Sequence, residues 1–228
     1  MKNSPIVISL GGSIVVPKSG IDAAFLKRFA TLIRSFVKSG ERFILVVGGG
    51  NTARIYQQAA RKVTKLADED IDWLGIHSTR LNAHLMRTIF RAEAQHIVVK
   101  DPTRTHVWTK PLLIAAGWKP GWSTDYVATR LAKKYKAETV INLSNIAQAY
   151  DKDPAKYKDA KPLANIDWKS FRKIVGNKWI PGMNAPFDPI ASRLASQSKI
   201  RVIIADGKNL SNLKKILTGK KYFGTTIE

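Results

Sequence analysis

The 228-residue chain contains no cysteine, which excludes disulfides and thiolate metal ligands. That absence suits a reducing compartment, and a cytoplasmic location is expected. No apolar run approaches the ~20 residues needed to cross a bilayer. The opening MKNSPIVISLGGSIVVP is interrupted by Pro5, Gly11, Gly12 and the polar Ser13, so a secretory leader is not expected there. Acidic residues are scarce: 17 Asp and Glu face 38 Lys and Arg, a net charge of +21. So basic a surface attracts anions of every size. Its cations are scattered in pairs such as Lys27-Arg28, Arg61-Lys62, Lys133-Lys134, Lys214-Lys215 and Lys220-Lys221, the pattern of solvated helix faces. No nucleic-acid reader motif accompanies them, and a specific nucleic-acid partner is not expected. The common nucleotide signatures are missing too, since neither a Walker A loop nor GxGxxG is present. His77, His84, His96 and His106 share no metal-ligand spacing and read as structural.

What the chain has is apolar sequence spread along its whole length, 44% of residues, enough for a packed core in one large α/β unit. Short apolar runs at 5–10, 43–47, 96–99, 112–115, 139–143 and 200–205 read as buried strands. Between them lie stretches with helical spacing, at 23–39, 52–65, 74–93, 124–136, 167–175 and 210–217, with a further helix opened by Asp188-Pro189. Asp22 and Asp188 read as helix caps, and Gly40 and Gly176 as stops. Residues 144–162 are polar and carry two prolines, so a surface loop or small hairpin is expected there. Residues 177–187 read as another loop. Strands alternating with helices imply a mostly parallel sheet covered on both faces.

Three glycine-rich turns follow apolar strands: Gly11-Gly12-Ser13, Gly48-Gly49-Gly50, and Gly117 to Gly121. Glycine lets backbone amides approach a phosphate closely. In a parallel sheet such turns gather at the carboxyl ends of the strands, where ligands bind. One tight turn would need only a positive φ, but three after strands point to a phosphate-bearing ligand.

The ordered segments ISLGGSIVVP, VVGGGNTARIY, DWLGIHSTRLNAHL, GWKPGWSTDYVA, NLSNIAQAYDKDP, FDPIASRLASQSKIRVII and the final GTTIE resemble the amino acid kinase superfamily, and within it the archaeal-type uridylate (UMP) kinases. The resemblance covers nearly the whole chain. It implies a three-layer α/β sandwich, with ATP and Mg²⁺ as donor system and UMP as acceptor. It implies a single domain, residues 1–228, with acceptor binding in about 1–137 and ATP binding in about 138–228. It also implies a homo-oligomer, commonly a hexamer.

Residue roles follow from the same resemblance. Gly11, Gly12 and Ser13 match the loop under the transferring phosphoryl group. Ser9 stands where many superfamily members place a lysine, so no catalytic lysine is assigned there. Gly49 and Gly50 match the loop framing the acceptor, and Arg54 the arginine that grips its phosphate, a task its planar fork suits. As a plain helix residue, Arg54 would simply be solvated. Asp72 matches the carboxylate that binds the acceptor ribose; its bland role is a cap for a helix beginning near Leu74. Thr124 matches a threonine near the uracil. Asp125 and Asp188 match carboxylates that organise phosphoryl transfer, although helix starts favour both in any case.

Ser144, Asn145, Tyr150, Asp153 and Pro154 match the adenosine-binding stretch. There the chain departs from the family, with Ala147-Gln148 where Asp-Gly is usual. Ala116 likewise replaces a frequent glycine. The expected reaction is phosphoryl transfer from ATP to UMP. Isopentenyl phosphate kinase is disfavoured because NTARIYQQAARKV lacks that family's histidine. A non-catalytic nucleotide or oxyanion binder on the same fold is the rival from another class, motivated by Ser9 and Ala147-Gln148.

Overall fold

The structure, a computed structural model, describes residues 4–178 and 185–228. Most of the expected loop 177–187 thus lies outside the described residues. The chain opens with β1 (Ile6–Leu10), the short helix α1 (Gly12–Val15), α2 (Ala23–Lys38), β2 (Phe43–Val47), α3 (Gly50–Val63) and α4 (Asp68–Ile89). It continues through β3 (Ala94–Val99), β4 (Leu112–Ala115), α5 (Thr124–Lys134), β5 (Thr139–Ser144), β6 (Ala149–Tyr150), β7 (Pro162–Leu163) and β8 (Asn165–Ile166). The last elements are α6 (Trp168–Val175), α7 (Pro189–Gln197), β9 (Arg201–Asp206), α8 (Leu210–Leu217) and β10 (Thr225–Ile227).

Among the described residues, eight strands form one sheet in the order β3-β4-β2-β1-β5-β9-β10-β8. From β3 to β9 every neighbouring pair is parallel. β10 then runs antiparallel to β9, with β8 parallel to β10. Alternation along the strands divides the core into two layers. Ile8, Leu10, Phe43, Leu45 and Val47 face one way, beneath α2, α8 and the inner side of α4. Val7, Ile44, Val46, Val140 and Val202 face the other, beneath α5, α6 and α7. Helix on sheet on helix is the three-layer sandwich expected from the sequence. Each large side chain fully buried in it contributes about 1.5–3 kcal/mol of transfer free energy.

Helix α2 shows how local sequence sets an element. Asp22 accepts a hydrogen bond from the Phe25 amide at 2.9 Å, closing the first turn. Phe25, Leu26, Phe29, Ala30 and Ile33 recur on one side and are buried. Gly40, at φ 90, follows and ends the helix in a conformation that costs glycine little. The polar stretch 144–162 does form the expected hairpin, with β6 and β7 antiparallel.

One expectation fails. α4 begins at Asp68, not near Leu74, and its N-cap is Ala67, which makes no side-chain cap bond. Asp72 lies inside the helix and caps nothing. Asp68, Glu69 and Asp70 occupy the first turn, where the helix dipole stabilises carboxylates, so this polar stretch starts the helix. α3 is unusual in the opposite sense: none of its residues is buried, and it packs on α4 away from the sheet. Among the described residues no helix is long and apolar enough to cross a membrane.

Candidate active site

The strand order reverses between β1 and β5. From β1 the chain turns to β2 on one side, and only later reaches β5 on the other. Ligands of open parallel sheets bind at such a point, outside the carboxyl ends of the strands. Four turns lie at that edge: Gly11-Gly12 after β1, Gly48-Gly49-Gly50 after β2, Gly117 after β4, and Gly207 after β9. The last was not singled out from the sequence, although an apolar strand ending in Asp206-Gly207 carries the same signal.

The first two turns interlock. A Cβ on Gly12 would stand 2.0 Å from the Gly50 nitrogen and 2.6 Å from the Gly48 carbonyl carbon. One on Gly48 would stand 2.4 Å from the Gly12 nitrogen. Gly50 also has φ +61, a conformation side chains disfavour. The loops are pinned by Gly48 N–H to the Leu10 carbonyl at 3.0 Å and Asn51 N–H to the Val16 carbonyl at 2.9 Å. From α4, the buried Asn82 amide donates to the Gly48 and Gly49 carbonyls at 2.9 and 3.0 Å. Backbone packed on backbone thus explains these glycines directly. The amides of Gly12 and Ser13 begin α1, where no helical carbonyl precedes them, and remain free to meet an anion. Ser144, at the end of β5, adjoins this loop: a Cβ on Gly11 would lie 3.4 Å from its Cα.

Behind the loops sits a carboxylate pair. The buried Ser9 hydroxyl donates to Asp125 Oδ1 at 3.0 Å. The Asp188 amide donates to Asp125 Oδ2 at 3.4 Å. Asp188 is 5% exposed and caps α7, its Oδ1 accepting from the Ala191 amide at 2.7 Å. Desolvation, joined by repulsion from Asp188, pushes the Asp125 carboxyl up to about 7, against the opposing bond from Ser9. Asp188 is also raised, by burial, with its bonds to Ala191 and Ser123 working the other way. The cap reading of Asp188 is therefore correct, and a second carboxylate, Asp125, lies beside it. α5 itself is capped by Ser123, which accepts from the Tyr126 amide at 3.1 Å, with Thr124 as its first residue. Ser9, buried and pairing in register with Asn142 of β5, carried no signal in the sequence as a partner of Asp125.

Three α4 side chains hold the turn after β4. Thr79 Oγ1 accepts from the Gly117 amide at 2.7 Å, Arg80 donates to the Trp118 carbonyl at 2.9 Å, and Asp72 Oδ2 accepts from the Gly121 amide at 2.7 Å. Asp72 is raised above the usual carboxylate range by burial and by neighbouring Asp68, with the Gly121 bond opposing. Its other oxygen has no bond to the described residues. Trp118, Trp122 and Tyr126 cluster beside this turn, with Trp122 and Tyr126 ring centres 4.1 Å apart. Arg54 is exposed on α3 and forms no ion pair among the described residues.

The residues expected from the sequence on the ATP side are more dispersed. Ser144 bonds the Ile146 amide through its hydroxyl at 3.3 Å, and Asn145 follows it. Tyr150 lies in β6. Asp153 Oδ1 accepts from the Ala155 amide at 3.0 Å in an exposed turn that includes Pro154. At the departure from the family, Gln148 is buried and donates to the Gly224 carbonyl at 2.9 Å. Neither Ala147 nor Gln148 adopts a positive φ, so the loop runs without the missing glycine. Cavities of about 310 and 440 Å³, lined by Glu138, Lys199 and Ile200 among others, lie at the far edge of the sheet and contain none of these residues.

Paired carboxylates and interlocked glycine loops thus lie together at the carboxyl ends of the strands, an arrangement whose free amides can meet an anion. The amino acid kinase family pattern matches residues 4–206, and the chain belongs to that family. It is 34% identical over 228 residues to the uridylate kinase of Thermoplasma volcanium, covering 99% of this chain and 98% of that one. It is 31% identical to the uridylate kinase of Hyperthermus butylicus, with 97% of each chain covered. The crystal structure of uridylate kinase from Archaeoglobus fulgidus superposes with a TM-score of 0.80 at 29% identity, covering 98% of this chain and all of that one.

Proposed function

We propose that this chain is a UMP kinase, moving the γ-phosphoryl group of ATP to UMP to give ADP and UDP. The reading rests on one conjunction. The interlocked glycine loops and the Asp125–Asp188 pair meet at the sheet's switch point, in a chain similar to uridylate kinases over nearly its whole length.

In this reaction a phosphate oxygen of UMP attacks the γ-phosphorus while the bond to the β-phosphate oxygen breaks. The attacking oxygen is already anionic, so no side chain need remove a proton. Catalysis reduces to in-line positioning and neutralisation of charge on the equatorial oxygens. Gly12 and Ser13 present amides to the transferring group. Gly49, Gly50 and Arg54 hold the acceptor phosphate, Asp72 offers its second oxygen to the ribose, and Thr124 lies toward the base. Asp125 and Asp188 order the groups around the transfer. Gly11, Ser144, Asn145, Tyr150, Asp153 and Pro154 serve the adenosine side. Apart from the shared loop at Gly11 and Gly12, residues 1–137 bind the acceptor and 138–228 the donor.

Among the described residues no cluster of three or more acidic, histidine or cysteine side chains is arranged to hold a metal. The oxygen donors of Asp125 and Asp188 suit Mg²⁺, which would be carried largely by the nucleotide phosphates with one of them as its protein neighbour. When bound it supplies positive charge to the phosphates. The reading further includes a place in pyrimidine nucleotide biosynthesis, a cytoplasmic location and a homo-oligomer, a hexamer as in the family. The unburied α3, with Ile55, Tyr56 and Val63 exposed, supports association between copies.

A coupled ADP-release assay across UMP, CMP, dUMP, AMP and isopentenyl phosphate tests the function, and UMP is expected to give the highest kcat/KM. Turnover of isopentenyl phosphate without UMP would reassign the acceptor. Calorimetric nucleotide binding with no turnover would make the chain a binder. Within the assay, Arg54→Ala is expected to cost on the order of 2–4 kcal/mol in UMP recognition and little for ATP.

A further inference from the structure

We propose that two adjoining cavities at the beginnings of β5 and β9 form a second ligand site, which holds an oligophosphate on Lys133, Lys136 and Lys199. The site lies at the opposite end of these strands from the glycine loops and stands on its own geometry, whether or not the kinase reading holds. The smaller cavity, about 310 Å³, is lined by those three lysines with Glu138, Gln197 and Ser198 among others. The larger, about 440 Å³, shares Glu138, Lys199 and Ile200 with it and adds Trp168, Arg201 and Glu228. Both volumes are in the range of small-molecule sites. Three cations against one acid favour an anion in the smaller cavity. In the larger one Lys199 and Arg201 balance Glu138 and Glu228, and Arg201 is already turned to Thr139 Oγ1 at 3.2 Å. The phosphate chain therefore belongs in the smaller cavity, and the larger has room for a polar group attached to it.

Uncommon backbone places the lysines there. Among the described residues, Lys136 and Lys199 are the non-glycine residues with positive φ, at 56 and 53, and both line the smaller cavity. Each stands one position beyond the C-cap of its helix, α5 or α7. Glycine takes this conformation freely, and a side chain makes it costlier. The ordinary duty of a lysine at a helix end is to bond the last carbonyls, and here backbone has taken it over. The Ala137 amide donates to the Ala132 carbonyl at 2.8 Å, and the Ile200 amide to the Ala195 carbonyl at 3.0 Å. The lysine amines that hydrogen-bond are those of Lys110, Lys134 and Lys152. Those of Lys133, Lys136 and Lys199 have no such partner and no ion pair among the described residues. Two neutral donors lie beside them. The buried Ser198 hydroxyl belongs to the lining of the smaller cavity and the Trp168 indole, 7% exposed, to that of the larger, and neither polar atom has a partner. A buried donor left unpaired costs free energy that a bound oxygen would return. α5 and α7 pack side by side and carry Asp125 and Asp188 at their other ends. A ligand on Lys136 and Lys199 would thus tie together the far ends of both helices.

Calorimetry of inorganic triphosphate with the whole chain, at about 0.15 M salt, tests the site. The double variant Lys136→Gly/Lys199→Gly removes two charges and supplies the residue this backbone suits, so it is expected to fold, with Tm within a few degrees of the parent's. The control Lys220→Ala/Lys221→Ala removes the same charge from exposed positions elsewhere. Triphosphate should bind the double-glycine variant about tenfold or more weaker, and the control within about twofold of the parent. Neither variant touches the glycine loops after β1 and β2, so the difference between them reads this site alone. Equal weakening in both would make the attraction a general property of a basic surface. No weakening in the double-glycine variant would leave the cavities without phosphate, and either result overturns the proposal. The same comparison with CTP separates two sources of the phosphate chain. If the CTP bound here is held about tenfold tighter than triphosphate, and Trp168→Phe removes the surplus, the ligand is a nucleotide. Equal affinity makes it an inorganic chain, and both results uphold the site.

Discussion

The interlocked glycine loops and residues 144–163 are joined to the molecule by different kinds of contact. Around Gly12, Gly48 and Gly50 the backbone of one loop fills the space that side chains would need in the other. Residues 144–163 are instead tied by single side-chain contacts. Gln148 bonds the Gly224 carbonyl, Thr225 Oγ1 accepts from the Ala149 amide at 2.8 Å, and Lys152 pairs with Asp159 on the surface. Interlocked backbone has no room to adjust and tolerates no added atom. Tethers by single side chains can be lost one at a time. The sequence departs from its family pattern in the second region at Ala147-Gln148, and outside it at Ala116, beside the third glycine turn.

The contrast is broken most severely by Gly12→Ala. With the new Cβ 2.0 Å from the Gly50 nitrogen, both loops must move. The expected cost is more than about 3 kcal/mol, with loss of turnover. Thermal unfolding together with the ADP-release assay reads both, and a stable, active variant would show that the loops are not interlocked in solution.

Asp125→Asn comes next and acts in two directions. It is expected to lower kcat by roughly 10²-fold, the scale for losing one preorganised charged group. It should also stabilise the fold at neutral and alkaline pH. Asp125 is raised from 3.8 to about 7 in the folded protein. Between those values the folded state binds a proton that the unfolded state has released, so stability falls as pH rises through that window. Asparagine removes the share of the dependence due to Asp125, worth on the order of 4 kcal/mol above pH 7. Denaturant midpoints from pH 4 to 8.5 should therefore flatten. A variant both less stable and normally active would return Asp125 to the role of a helix-start residue.

Within residues 144–163 the effects shrink. Gln148→Ala leaves the buried Gly224 carbonyl without its donor, for about 1–2 kcal/mol. KM for ATP should rise several-fold with KM for UMP unchanged; a change in both would tie the two regions together. Lys152→Ala is the smallest. Its partner Asp159 is 77% exposed, and stability should stay within about 0.5 kcal/mol, as equilibrium unfolding would record.

The sequence made the framework legible where patterns were strong and local. Phe43–Val47 and Leu210–Leu217 are continuous or periodic apolar stretches with clear stops, and their bounds agree with expectation. α1 was missed because four residues after a double glycine cannot show a period. The start of α4 was missed because Asp68, Glu69 and Asp70 read as a polar loop until the dipole is considered. β8 and β10 were missed because two or three residues take strand form only when a partner strand is present. The site followed the same rule. The glycine turns were visible as turns, but their mutual packing is a tertiary fact. The Ser9–Asp125 bond and the aromatic cluster at Trp118, Trp122 and Tyr126 depend on contacts that no spacing encodes.

The late strand β10 gives the molecule a timetable. It sits between β9 and β8, and Thr225 Oγ1 donates to the Leu163 carbonyl, 62 positions earlier in the chain. While the polypeptide is being synthesised, β8 has no neighbour, and β9 presents a bare flank until residues 225–227 emerge. The parallel half, from β3 to β5, needs nothing from that segment. A nascent chain therefore carries a finished half beside an open edge, the feature by which strands join the wrong molecule. Residues 225–227 close that edge.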